Sequence, residues 1–598
     1  MDISIEQNLD CITKGLKVHV KGSYNTYYTM TVQRSGNMQK YTAYYESSLT
    51  NPGMDISDPN FNKNIVYQIN GQNKNLEYSE SFARERNWYI EGGIDYNRTF
   101  KNIHRVSGLL LYNQNRVYYP KAANGNEMDY QYIPRSYVGL VGRASYGYNS
   151  RYLFDVNVGY NGSENFAPGK TRFGVFPSGS IGWVVSEENF MKNQSLISFL
   201  KLRASYGIVG NDKIGVDRFL YMDGVWSVDG GGYNFGIDQT SKDPAATEGQ
   251  LGNPVITWEK SAKQNYGIDL KLLEDRLNIT ADYFRENRTD ILITRNTAPG
   301  VIAIALPKQN MGEVMNQGYE LSVKWADKFK DFRYRVNANV SYAKNKIIYM
   351  DEVKHVNDFN NQTGRSTGLT YGYVFDRFYT AEDFTDVEKG ILKDDLPIVT
   401  IGTPFPGDCK YVDMDNNGKI DANDQTYLGY STKRPEYVFG FDYGFSWKGW
   451  DFSMQWTGAT HVSRNLETEY RIPFSPNGKR ALLQYHADER WTEETAATAT
   501  MPRFSDNSKS LNYDVNSSLW VRDASYIRLK NIQLGYTFRN SPLLKKCGLS
   551  NVNLYVSGYN VLTFDKLKFV DPEAPTNGGN SNQYPISKMF TMGLKLNF

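Results

Sequence analysis

One stretch of the chain places ion-binding residue types at an ion-binding spacing. In Asp413-x-Asp415-x-Asn417-Gly418-Lys419-Ile420-Asp421-x-x-Asp424, side-chain oxygens fall at loop positions 1, 3, 5, 9 and 12, with glycine at 6. This is the order in which EF-hand loops surround Ca2+, a hard cation that takes oxygen ligands. Gly418 permits the sharp turn, Lys419 would offer its backbone carbonyl, and Ile420 would anchor the loop. Asp424 stands where a glutamate normally chelates with both oxygens, which weakens the site or favours a smaller ion such as Mg2+. No helices are read on either side, so the motif is a loop within a long connection. The plain alternative is an acidic turn that holds no ion.

Nothing else in the chain assembles reactive chemistry. Cys11, Cys409 and Cys547 are far apart and odd in number, and the five histidines are equally scattered. They give neither a disulfide framework nor zinc spacing. No Ser/His/Asp or Cys/His set is found, and Glu187-Glu188 reads as a solvated turn, so an enzyme is disfavoured. With 67 basic and 65 acidic residues the net charge is only +2, and no nucleic-acid footprint is expected.

The elements that would carry the acidic loop are strands. Met589–Phe598 alternates strictly: Phe590, Met592, Leu594, Leu596 and Phe598 on one face, Thr591, Gly593, Lys595 and Asn597 on the other. The same period recurs at Trp88–Asn97, Tyr152–Tyr160, Tyr266–Tyr283, Tyr319–Tyr342 and Tyr437–Trp456, where one face is largely aromatic or aliphatic. In Tyr526–Phe538 the register slips between Leu529 and Ile532, which predicts a bulge. The stretch from Tyr24 to about Glu80 is polar and reads as loop.

Short turns near 98–102, 149–151, 273–276, 327–331 and 448–450 alternate with long connections near 113–135, 210–257, 293–316, 346–435, 462–517 and 565–588. The long ones read as structureless. Short on one side and long on the other is the layout of an outer-membrane barrel, with periplasmic turns and extracellular loops. No run of about 18 apolar residues offers a transmembrane helix, a test that strands escape. The fold expected is therefore all-β, an antiparallel transmembrane β-barrel with long extracellular loops at 346–435 and 462–517. A porin-like channel and a secreted β-rich adhesin are the rival readings.

Six ordered stretches resemble the carboxyl-terminal barrel of the SusC/RagA branch of TonB-dependent outer-membrane transporters: Phe176–Phe190, Leu200–Asn211, Asn253–Leu292, Asp413–Ala459, Arg490–Arg503 and Ala524–Phe538. The resemblance covers essentially the whole chain. It implies import of glycans or peptides, a SusD-like surface lipoprotein acting as a lid, and energy drawn through the TonB complex. It also implies that Phe598 is the terminal signal read by the outer-membrane assembly machinery. Such barrels have 22 strands around an amino-terminal plug, of which about sixteen or seventeen are read here. The expectation is that the chain begins inside the barrel of a larger protein and is inactive by itself. The lumen-facing polar residues Arg333, Arg335, Asn337, Asn339 and Lys324 are what any water-lined barrel interior requires. No substrate site is read from them.

Overall fold

The computed structural model describes the chain apart from residues 120–129, 131, 170, 214–217, 225, 238–240, 300, 303–305, 467, 474–481, 506–510, 540–541, 568–569 and 574–585. Seventeen strands form one antiparallel sheet. In chain order they are β1 (Asp2–Asn8), β2 (Leu16–Ser35), β3 (Glu77–Phe100), β4 (His104–Tyr118), β5 (Arg135–Tyr148), β6 (Tyr152–Ser163), β7 (Phe173–Val184), β8 (Ile197–Asn211) and β9 (Glu259–Leu272). The series continues with β10 (Leu277–Ile293), β11 (Gln309–Phe329), β12 (Phe332–Tyr349), β13 (Tyr437–Trp447), β14 (Trp450–Thr460), β15 (Tyr526–Arg539), β16 (Asn551–Asp565) and β17 (Met589–Asn597). Each strand pairs with the next in sequence. Among the described residues β1 and β17 do not pair with each other. Both run toward the short-turn end, so they could not meet as an antiparallel seam.

Alternation explains why these segments are strands, and its sense shows what surrounds them. On β6, Phe154, Val156, Val158 and Tyr160 are exposed, whereas Asp155 and Asn157 between them are half-buried. On the edge strand β17, where Thr591 and Lys595 are also exposed, so are Phe590, Met592, Leu594 and Leu596. A sheet in water would turn these residues inward. A barrel in lipid turns them outward and keeps its polar residues in the lumen.

Two aromatic rows bound this apolar face. At the short-turn end Phe329, Phe332, Trp447, Trp450 and Tyr536 stand opposite one another across β11–β15. Toward the long-connection end Tyr266, Tyr283, Tyr319, Tyr342 and Tyr437 do the same across β9–β13. The rings of Tyr319 and Tyr342 lie 5.3 Å apart, those of Tyr342 and Tyr437 4.6 Å. From Tyr437 to Trp447 the strand rises roughly 33 Å at about 3.3 Å per residue. Tilted by about 40°, it spans roughly 25 Å, the height of an outer-membrane apolar band flanked by aromatic girdles.

The structure departs from the sequence expectations in two places. The strands β2 and β3 continue through the polar stretch, pairing Leu16–Ser35 with Glu77–Tyr96, and only the tip forms a separate hairpin, Lys40–Tyr45 with Ile65–Asn70. These extensions are exposed on both faces, and the polar residues interleaved with Tyr28, Met30 and Val32 concealed them. The connections are likewise not structureless: 210–257 holds a hairpin of Ser227–Phe235 with Ser241–Thr247, and 350–436 and 461–525 hold more. They carry short paired strands (Thr370–Tyr373 with Gln425–Leu428, Phe375–Phe378 with Cys409–Tyr411, Ser463–Asn465 with Val521–Asp523) and share one buried core. The bulge expected in β15 is present at Lys530, the residue skipped between Leu529 and Asn531 in pairing with both neighbours.

Candidate functional site

The lumen is lined by the polar half of each alternating strand, and several of its charges are paired. Arg143 on β5 and Ser145 meet Asp155 on β6 at 2.6 and 2.5 Å. Arg203 on β8 reaches across β9, bonding Asp269 at 3.1 Å and Asp282 on β10 at 2.7 Å. His19 on β2 lies 2.7 Å from Asp95 and 3.4 Å from Glu91, both on β3. The last group, with Glu6, Lys17 and Arg143, lines a recess of about 740 Å3. Pairing across strands follows from register, because inward residues of adjacent strands stand opposite one another. Lys324 and Asn337 are such a pair, and Arg333, Arg335 and Asn339 share their face. None of these five converges on a common point in a way that would single out a substrate. The arginine ties across β5–β6 and β8–β10 were missed in the sequence, although each arginine falls at an inward position.

Above the barrel the two long connections interlock. Trp520 is fully buried and donates from Nε1 to the Asn512 carbonyl at 2.8 Å. The Asn512 side chain accepts from the Cys409 N–H and donates to Asp408, each at 2.8 Å. Asp408 also accepts from Arg503 Nε at 2.6 Å. Arg471 stacks over Trp520, 5.5 Å from the ring, and burial lowers its guanidinium to about 10. Burial also raises the Cys409 thiol far above its ordinary range, which removes it as a nucleophile. Arg377 pairs with Asp383 at 2.6 Å and holds that carboxyl down at about 2. A third connection is tied down by Arg528, whose guanidinium is buried and bonds Asp571 at 2.9 Å and Glu573 at 2.7 Å.

The acidic loop grows from this interlocked core. Ile420 is buried in it, and Lys419–Ile420 pairs with Ile398–Val399, so the expected anchor holds. Asn416 and Gly418 take positive φ of 57° and 78°, giving the sharp turn. Carboxylate oxygens of Asp413, Asp415 and Asp424 lie within 4.8 Å of one another. Backbone N–H groups engage all of these side chains: that of Gly418 donates to Asp413 at 2.8 Å and that of Asn417 to Asp415 at 3.2 Å. Asn417 Oδ1 accepts from the Lys419 N–H at 2.8 Å, and Asp421 caps the 3-10 turn Ala422–Asp424 through the Asn423 N–H at 2.7 Å. Asp424 itself accepts from the N–H groups of Met414 and Asp421, each at 2.8 Å, and burial raises its carboxyl above the usual carboxylate value. Three converging carboxylates, one of them buried, are a donor set that suits a hard divalent ion. The set is smaller than the six-residue set that spacing alone suggested.

Phe598 lies beyond β17 at the short-turn end, almost fully exposed, while Asn597 is tied to Asn551 and Ser550.

The family described as TonB dependent receptor-like, β-barrel, matches residues 7–561. The chain is 28% identical over 554 residues to the TonB-dependent receptor P3 of Formosa agariphila, a match covering 88% of this chain and 52% of that protein. It is 29% identical over 477 residues to the TonB-dependent receptor SusC of Bacteroides thetaiotaomicron, covering 77% and 44% respectively. Its fold matches a chain of the RagAB peptide transporter with a TM-score of 0.68 at 19% identity, over 98% of this chain and 60% of that one. The chain thus spans about half the length of the curated relatives it matches. An outward apolar band, a lumen with paired charges and a family match over nearly all of the sequence converge on one conclusion: the chain belongs to the TonB-dependent receptor β-barrel family.

Proposed function

We propose that the chain forms the membrane-spanning wall of a SusC-like importer in a Gram-negative outer membrane, taking up glycans or peptides too large for porins. The carrying observation is the inverted alternation on β6, apolar outward and polar inward, which fits a water-lined passage through lipid. A SusD-like surface lipoprotein would close over the interlocked connections, and the TonB complex would supply the energy for uptake. Relatives named SusC and structures titled as a peptide transporter support the import class without choosing between cargoes.

The outer N–H and C=O groups of β1 and β17 would each cost several kcal/mol if left unpaired in lipid. Energised uptake therefore requires pairing partners for those two edges. In a strain deleted for the whole locus, residues 1–598 alone are expected to restore no proton-gradient-dependent uptake of labelled oligosaccharide or peptide, whereas the intact locus restores it. Uptake by residues 1–598 alone would refute this reading. Uptake by the intact locus that survives an uncoupler would favour the porin-like channel instead.

We also propose a divalent cation, Ca2+ or Mg2+, between Asp413, Asp415 and Asp424. Calcium titration calorimetry on the detergent-solubilised protein should give a saturable binding heat that Asp413→Ala abolishes. A titration identical in both proteins would reduce the motif to an acidic turn.

A further inference from the structure

The tyrosine row across β9–β13 has a cationic recess directly above it on the same outward face. Going up β12 from Tyr342, the outward positions are Lys344 and Lys346; going up β11 from Tyr319, they are Gln317 and Met315. With Arg365 and Tyr430 from the 350–436 connection, these residues line a recess of about 350 Å3. The Lys344 side chain is 54% exposed and lies 3.4 Å from Glu436, the carboxylate in the recess. Glu436 offsets Lys344, and the recess keeps the positive charge of Lys346 and Arg365. Arg365 is fixed from behind, donating to the carbonyls of Asn361 and Phe359 at 2.9 and 3.1 Å while stacking on Tyr427. Lys346 is exposed, and no ion pair to it is found among the described residues.

Position decides what such a recess would meet. Tyrosines of an upper girdle sit at the level where acyl chains give way to headgroups. The two lysines hold the next two outward positions above that level on β12, and with the fixed guanidinium they lie at the height of the headgroup layer. A phosphomonoester offers the oxygens and double negative charge that this donor set complements. We propose that the recess of Lys344, Lys346 and Arg365 binds the phosphorylated headgroup of an outer-leaflet lipid, with its acyl chains descending over Tyr319, Tyr342 and Tyr437. The inference rests on the membrane-spanning reading above.

Native mass spectrometry of the detergent-solubilised full-length protein, titrated with diphosphorylated lipid A and with its dephosphorylated form, tests this. Preferential retention of the phosphorylated lipid is expected, and Lys344→Glu/Lys346→Glu should weaken it by about tenfold or more while Lys344→Arg/Lys346→Arg retains it. Equal retention of both lipids by the unaltered protein would overturn the proposal, and that comparison requires no variant to fold. Displacement by millimolar inorganic phosphate would also overturn it, making the recess a free-phosphate site. Heat-modifiable gel migration of the same sample reports the barrel separately. Its loss would count against the membrane-spanning reading, whereas lipid indifference with migration intact counts against the headgroup site alone.

Discussion

Val156→Arg will destabilise the folded barrel by about 2–4 kcal/mol, the range for a cation at the lipid-facing midplane of an outer-membrane barrel. Val156 lies in the middle of β6, 55% exposed on the outward face, and its opposite neighbours on β5 and β7 are the small residues Ala144 and Gly179. An arginine there meets no steric obstacle, so the cost isolates the transfer of charge into lipid. The matched control is Ser180→Arg on β7, which points the other way. Ser180 lines a recess of about 610 Å3 with Asp155 and Arg203, where water and a carboxylate are at hand, and we expect a change within about 1 kcal/mol. Guanidinium unfolding in liposomes, read by heat-modifiable migration, measures both. If the two variants lose equal stability, the wall has no lipid side and the β-rich adhesin reading returns.

Trp520→Ala will open the interlocked connections while leaving the barrel standing. Trp520 is fully buried among Tyr513, Leu519, Tyr411 and Met501. Truncating a buried tryptophan costs about 3–5 kcal/mol through lost burial and the cavity left behind. It also removes the Nε1 donor to Asn512, whose side chain joins Cys409 to Asp408 and so links the two connections. The strands are held by their own ladders and by lipid, so the damage stays local. Limited proteolysis on intact cells should cut within 350–436 and 461–525 in the variant and not in the parent, with unchanged barrel migration. Resistance equal to the parent's would mean the two connections do not depend on a common core. Collapse of the calcium-binding heat in the same variant would show that the acidic loop takes its shape from that core through Ile420.

The sequence by itself determined the barrel wall. Lipid on one side and water on the other impose a period of two on every spanning strand, and that period is a local property of the chain, visible in Phe154-Asp155-Val156-Asn157-Val158. The parity of short and long connections is also written in order along the sequence. The bulge in β15 was legible for the same reason, since one extra residue shifts which side chains face lipid. The outer parts of β2 and β3 are exposed on both faces, and the polar residues interleaved with Tyr28, Met30 and Val32 concealed them.

Tertiary structure alone decided the rest. The loop core joins Tyr373, Tyr411, Leu466 and Trp520 through contacts more than a hundred residues apart in places, such as the Cys409 N–H with the Asn512 side chain, and no periodicity marks such residues. It also decided the acidic motif. Spacing offers an oxygen but not its direction, and backbone N–H groups compete for the same lone pairs. That competition occupies Asn417 and Asp421 and engages Asp413, Asp415 and Asp424 as well, yet only these three bring their carboxylate oxygens together. The cations above the tyrosine row likewise became a group only when register set Lys344 and Lys346 beside Gln317, with Arg365 brought down from a connection to complete them.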